Sequence, residues 1–266
     1  MTTAGEDAAD PRKPALSRVG RALRGWRDPL ALIAIVLGAW QLVYWYAGDV
    51  ALTSPAATFA QLATMLQNPR FLPHVTETLA AFAQGFAIAV LLGLAIGVTL
   101  GAHRLTGEVA EPILVALYSI PKVTLYPVIL LIFGIGMPAK VAFGAIQGIV
   151  PVSLFALNAI RNIKPVYTRT GRMLRLPPSR LVAHVILPAA LPEIVTGIRV
   201  GFSLTLIGTL LGEMFGAQRG LGFLLLQAMA LHQVKTIMAV TLLLVIAAAS
   251  VNAMLLAYER RLRERM

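Results

Sequence analysis

The chain has 266 residues, 58% of them hydrophobic and only 13% charged, with a mean hydropathy of +0.76. A soluble domain carries about 25% charged residues, so this sequence lacks the polar skin that water demands, and most of its surface must face lipid. The net charge of +11 is not a nucleic-acid signature, because the basic residues fall in short blocks between long apolar runs.

Residues 1–28 read as a basic tail, disordered over 1–16, with Arg12, Lys13, Arg18, Arg21, Arg24 and Arg27 ahead of the first apolar run. That run is too long for a cleaved signal, and no small-residue cleavage site follows it. A membrane span needs about 20 mostly apolar residues. Six stretches qualify: 29–47, 78–102, 113–134, 141–160, 191–212 and 236–258. The third carries only Lys122, and the fifth only Glu193 and Arg199. The membrane domain is therefore 29–259, with a basic tail at 260–266. The reading is an all-α integral membrane protein of six transmembrane helices.

Basic residues alternate with these spans. Arg104 lies between the second and third. Arg161, Lys164, Arg169, Arg172, Arg175 and Arg180 lie between the fourth and fifth, and Arg260, Arg261, Arg263 and Arg265 close the chain. The opposite loops hold Arg70, Lys140, Arg219 and Lys235. By the positive-inside bias both termini are cytoplasmic, and anionic headgroups are the simplest partner of the basic blocks. There is no cysteine, so disulfides are excluded. His74, His103, His184 and His232 form no ligand spacing, so no metal site is expected. With no phosphate-binding glycine loop and no nucleophile elbow, no catalytic site and no ATP hydrolysis are expected in this chain.

Helices in lipid approach closely only through small residues. Gly93, Gly97 and Gly101 recur every four residues in the second span, and Gly197, Gly201, Gly208 and Gly212 stripe the fifth. These are the candidate packing faces. Two apolar pieces are too short to cross: residues 54–67, with a proline at a helix start, and residues 220–233, either re-entrant or interfacial. Trp40, Tyr44, Trp45 and Tyr46 suit an interfacial belt at the end of the first span.

The connection from 161 to 188 is long, basic and rich in proline. A helix is expected from Pro165 to Leu176, a break at Pro177 and Pro178, a second helical stretch to Leu187, and further breaks at Pro188 and Pro192, since proline removes a backbone donor and clashes with the preceding turn. Such a bent platform suits docking of a soluble partner.

These residues resemble the permease subunit of bacterial binding-protein-dependent ABC importers, more narrowly the nitrate/sulfonate/taurine/bicarbonate group. That family's loop pattern is near EAA-x3-G-x9-I-x-L-P. Val185, Ile186, Leu187 and Pro188 match its tail, followed by Ala189, Ala190, Leu191, Pro192, Gly197 and Arg199. Its head does not match: the EAA positions hold Arg169, Thr170 and Gly171, and the glycine position holds Arg175. SIPKVTLYPVILLIFGIG, GEMFGAQRGLGFLLLQA and HVTETLAAFAQGFAIAVLLGLAIGVTLG also resemble the group.

The resemblance implies a type I importer permease fold in the bacterial inner membrane. It implies pairing of two permease subunits, either two different ones or two copies of one, with a homodimer expected, two ATPase subunits carrying ATP and Mg, and a periplasmic or lipid-anchored binding protein. It assigns ATPase coupling to Tyr167, Arg169, Thr170, Gly171, Arg172, Arg175, Leu176, Pro177, Pro178, Ser179, Leu181 and Pro188. Candidates for the translocation pathway are Lys122, Arg199, Glu213 and Met214, because charge inside a membrane is costly and often functional. Lys122, about 16 Å along a helix starting near Glu111, either faces a cavity or snorkels to the headgroups. Arg199 is expected to pair with a carboxylate such as Glu193, and Glu213 either lines the exit or anchors the following loop. The substrate expected is a small anion such as a sulfonate, taurine or nitrate, the alternative a pyrimidine or similar ring compound. The rival classes are an ion-coupled secondary transporter or channel, disfavoured by the lack of an internal inverted repeat, and a non-transport scaffold.

Overall fold

A computed structural model describes residues 16–48 and 50–264; at 16–29, Thr168, Arg172, Pro178 and Ser179 it describes the backbone alone. Asp49 and the far ends of both predicted tails lie outside the described residues. The described residues are helical, with no strand among them. The chain divides into two units, Met1–Thr58 and Phe59–Met266.

In the first unit, α1 runs from Leu16 to Ala47, with its apolar span at Leu30–Ala47. Residues 16–28, read from the sequence as part of the tail, are helical and continuous with that span. Gly48 ends the helix in the left-handed region at φ 72° and donates to Tyr44 O. Trp40 Nε1 then donates to Thr53 O at 3.0 Å, while Trp45 and Tyr46 remain exposed. α2 (Pro55–Leu66) begins in the first unit and runs on into the second; Ser54 caps it by accepting from Ala57 N–H, and Pro55 takes the first helical position, where its missing donor costs nothing.

The second unit contains α3 (Leu72–Gly101), α4 (Arg104–Ser119), α5 (Tyr126–Phe133), α6 (Met137–Arg161), α7 (Pro165–Met173), α8 (Pro178–Leu181), α9 (Leu187–Gly216), α10 (Leu221–Ala230) and α11 (Val234–Glu264). A 3-10 turn, Lys122–Leu125, leads into α5, and a π turn, Val182–Ile186, leads into α9. At its centre α6 packs between α3 and α9. The buried positions of α3 recur every four residues, through Ala81, Gly85, Ala89, Gly93, Gly97 and Gly101. This is the i±4 ridge of a helix made from its smallest side chains. A Cβ at Gly97 would fall 2.4 Å from Ser153 O, and one at Gly93 2.6 Å from Val152 Cβ, so the α3 and α6 backbones nearly touch. On the other side of α6, Gly197 meets Phe155, Gly201 meets Val152, Gly208 meets Gly144 and Gln147, and Gly212 meets Lys140. Gly101 lies against Leu157. The complementary glycines, Gly144 and Gly148 on α6, receive Thr209 and Thr205 of α9.

Among the described residues, five unbroken helices are long and apolar enough to cross a membrane, and a sixth span exists only as a bent pair. The third predicted span is not one helix: α4 and the segment Lys122–Phe133 meet at 80°. Pro121 is the cause. It pushes Ile120 out of the helical region, to φ −67° and ψ 131°. The loop before the fifth span also departs from expectation. The first helix stops at Met173 rather than Leu176, and neither Pro188 nor Pro192 breaks the chain, since Val182–Gly216 forms one span. The π turn directs Leu187 N–H to Val182 O, inserting a residue ahead of Pro188 and thereby absorbing the proline's missing bond. α10 has 10 residues, about 15 Å of helix, too short to cross.

Candidate functional site

Chemistry-bearing side chains gather at the two ends of the second unit. At one end α7 and α8 form the connection between α6 and α9. α7 closes with a Schellman arrangement: Leu176 N–H donates to Gly171 O at 3.1 Å, and Leu174 N–H to Thr170 O at 3.0 Å. The residue that must turn left-handed there is Arg175, at φ 50°. A glycine takes that conformation freely, whereas a side chain costs about 1–2 kcal/mol. Arg175 is the position where the family pattern has its glycine, so the chain keeps the glycine's backbone without the glycine. Leu181 folds against Gly171 with Leu176 nearby, and Leu181 N–H donates to Pro177 O. Tyr167, Arg169, Thr170, Arg175, Pro177 and Arg180 are exposed. So are the apolar Val166, Met173 and Leu174, Met173 to 83%. A groove of about 530 Å³ separates α7 from the start of α9, lined among others by Tyr167, Leu176, His184 and Pro188. The side chains of Arg172, Pro178 and Ser179 lie outside the described residues.

At the other end, α3, α6, α9 and α10 converge on a buried ionic cluster. Lys140, 1% exposed, donates to Glu77 Oε1 at 2.9 Å and to Arg219 O at 3.2 Å, and lies 3.7 Å from Glu213 Oε1. Glu213, fully buried, accepts from Thr78 Oγ1 at 2.8 Å and from Gly222 N–H at 3.0 Å. Thr78 Oγ1 in turn accepts from Leu221 N–H at 2.8 Å. The carboxylate thus sits at the N-terminus of α10, where orphan N–H groups and the helix dipole favour negative charge. Gly220, at φ 128°, passes so close that a Cβ there would fall 2.2 Å from Glu213 Cδ. Of the two sequence readings of Glu213, the geometry is that of an anchor for the following segment. Lys140, read as an outer-loop charge, is a buried member of the cluster, and Glu77 and Thr78 were not singled out at all. Their signal is modest: single charges near the ends of three largely apolar helices.

The other pathway candidates are dispersed. Lys122 is buried in the 3-10 turn rather than midway along a helix; its Nζ donates to Tyr118 O at 3.3 Å and lies 5.3 Å from the Tyr118 ring centre. Arg199 pairs not with Glu193 but with Glu259 of α11 at 3.4 Å, and Glu259 also accepts from Arg263 at 2.9 Å. A turn along, Asn252 donates to Ser203, so polar contacts hold α11 to α9. Met214 is half-buried beside Glu213. Each candidate is engaged by a different set of neighbours.

Known proteins fit this architecture. The chain is 32% identical to a probable ABC transporter permease protein of Haemophilus influenzae, over 82% of its own length and 89% of the relative's. It is 25% identical to a putative aliphatic sulfonates transport permease of Bacillus subtilis, over 91% and 89% respectively. Other relatives are named for taurine, bicarbonate, nitrate and formylaminopyrimidine transport. A chain of the MetNI methionine ABC transporter, solved in inward-facing conformations, shares the fold with a TM-score of 0.63 and 24% identity, covering 72% of this chain and 95% of that one. Residues 89–266, which hold the α6–α9 core, the α7 platform and the α10 anchor, match the family of binding-protein-dependent transport system inner membrane components, and the chain belongs to that family.

Proposed function

We propose that the chain is the permease subunit of an ATP-driven importer of the bacterial inner membrane, and that it pairs with a second copy of itself to form the substrate pathway. Both termini and the α7–α8 platform lie in the cytoplasm. Two ATPase subunits, which bind ATP and Mg, dock on the two platforms, and a binding protein delivers substrate to the opposite, α10 end. ATP-driven closure of the ATPases shifts the helices between inward- and outward-facing populations; the permease makes and breaks no covalent bond. Lys122 is the remaining charge suited to the pathway, since Arg199 and Glu213 are each neutralised by an opposite charge and no described carboxylate pairs with Lys122.

The exposed face of α7 carries this reading. Val166, Met173 and Leu174 stand in the open on a short helix flanked by arginines, outside any apolar span. Such a surface is costly in water and calls for a partner. The substrate class is a small anion such as a sulfonate, taurine, nitrate or bicarbonate, supported by the names of the relatives; a pyrimidine-type ring compound is the second reading, supported by the formylaminopyrimidine relative.

The test is reconstitution of the permease with its ATPase and binding protein in liposomes, offering each of these solutes. ATP-dependent uptake of one anion that requires all three proteins is expected. Uptake of the pyrimidine alone would overturn the anion assignment and leave the machinery. Uphill uptake by the chain alone under an ion gradient would overturn the importer reading.

A further inference from the structure

We propose that the α7 platform fits an acidic cleft on the ATPase subunit and that Arg175 is the contact that sets its register, a step that rests on the coupling reading above. From Pro112 through Pro192 the sequence contains no Asp or Glu, while Lys164, Arg169, Arg172, Arg175 and Arg180 crowd the platform. Arg169, Arg175 and Arg180 are exposed, and no described carboxylate pairs with them. An unneutralised positive surface ringed around exposed apolar side chains is complementary to a cleft with an apolar floor and an acidic rim.

Arg175 separates a protein partner from a lipid one. Anionic headgroups are served equally well by any exposed basic side chain on unstrained backbone, and Arg169 and Arg180 already provide those. Only Arg175 is held in the left-handed region, at φ 50°, where glycine would be more stable. Strain kept at a surface position marks a side chain that is needed in one place. The Schellman bond from Leu176 to Gly171 fixes that place relative to α7. A guanidinium so presented is matched to a carboxylate in two-point geometry. The sign is opposite to the family pattern, which has a glutamate where this chain has Arg169. The permease is therefore selective for an ATPase whose cleft carries the inverse charge.

The experiment measures the affinity of the full-length permease in nanodiscs for its ATPase, at low and high salt, with and without phosphatidylglycerol. The wild-type affinity should fall as salt rises. Arg175→Gly should bind about tenfold more weakly at low salt and show a shallower salt dependence, while its unfolding temperature stays the same or rises because strain is removed. Arg175→Lys, equally strained but charged, should recover part of the affinity. Equal affinity and equal salt dependence of Arg175→Gly and wild type would overturn the proposal and leave the coupling reading standing. Loss of co-purified phosphatidylglycerol with unchanged ATPase binding would overturn it in favour of lipid. Failure of the wild-type permease to bind the ATPase at all would overturn the coupling reading itself.

Discussion

At the α10 end of the second unit, Lys140, Glu77, Glu213 and Thr78 are locked together by short contacts, with Glu213 and Lys140 almost wholly withdrawn from solvent. At the α7 end, Arg169, Arg175 and Arg180 stand exposed, without carboxylate partners among the described residues, beside exposed apolar groups. The difference is one of completeness. The buried cluster at the α10 end satisfies its charges internally. The α7 end leaves both charge and apolar area exposed. Two ends of one bundle thus differ: the cluster at one is closed on itself, and the platform at the other stands open.

Breaking the finished end should have the largest effect. Glu213→Ala removes the carboxylate that receives Thr78 and Gly222, and leaves buried Lys140 with Glu77 as its one carboxylate among the described residues, beside the Arg219 carbonyl. Breaking a buried ionic set by removing one member costs about 3–5 kcal/mol. Thermal unfolding in detergent should show a large drop, with protease cutting first around α10. An unfolding temperature close to wild type would show that the cluster does not anchor α10.

Gly220→Ala should come next. Its Cβ would fall on the immobilised Glu213 carboxylate, and its φ of 128° suits glycine alone. Overpacking and backbone strain each cost about 1–3 kcal/mol. The same unfolding assay should place it at or slightly below the Glu213→Ala loss, and the two together should be far from additive, since both disrupt one cluster.

Arg199→Gln probes charge between the two ends. Arg199 is 30% exposed and its 3.4 Å contact with Glu259 is shared with Arg263. Solvent screening limits the loss to below about 1 kcal/mol, and the Asn252–Ser203 bond still joins α9 to α11. The small shift in unfolding temperature should shrink further in high salt. A loss as large as that of Glu213→Ala would mean that the pair is part of a buried network.

The sequence carried the lipid-facing class, the order of apolar spans and both short helices, because each depends on local hydrophobicity. The glycine spacing on α3 and α9 was also legible; Gly144 and Gly148 on α6 share it, but as a single pair they give a weaker signal than the longer stripes. The 80° break at Pro121 was missed because the apolar run continues through it: hydropathy measures transfer, not direction. The opposite error occurred at Pro188 and Pro192, where a π turn lets the helix continue. The buried cluster was the least legible feature. Lys140, Glu77 and Glu213 lie on three different helices, and only packing brings them together. At α7, by contrast, the family pattern sets its glycine on Arg175, but the sequence reading placed the break at Pro177 and Pro178; the left-handed turn at Arg175 came from the geometry alone.

Gly171→Ala gives the smallest expected effect and the sharpest contrast with Gly220→Ala. Both glycines leave no free room for a Cβ. At Gly171 the new atom would meet Leu181 Cδ1 at 2.3 Å. That atom is the tip of a flexible side chain rather than fixed backbone. Leu181 is itself only half-buried, so its displacement disturbs little. Against that small cost, alanine in a helix is favoured over glycine by about 1 kcal/mol, and Gly171 is within α7 with helical backbone. The two terms oppose and are of similar size, so unfolding temperature should move by less than the assay needs to rank it. The effect belongs to coupling instead: a shifted Leu181 alters how α8 lies on α7, and with it the presentation of Arg175. Transport per ATP hydrolysed in liposomes is therefore the informative reading. A drop in that ratio with normal stability would identify the α7–α8 contact as part of transmission; an unchanged ratio would confine its role to folding, and a large fall in stability would show that Leu181 has nowhere to go and that the α7 end is as tightly built as the other.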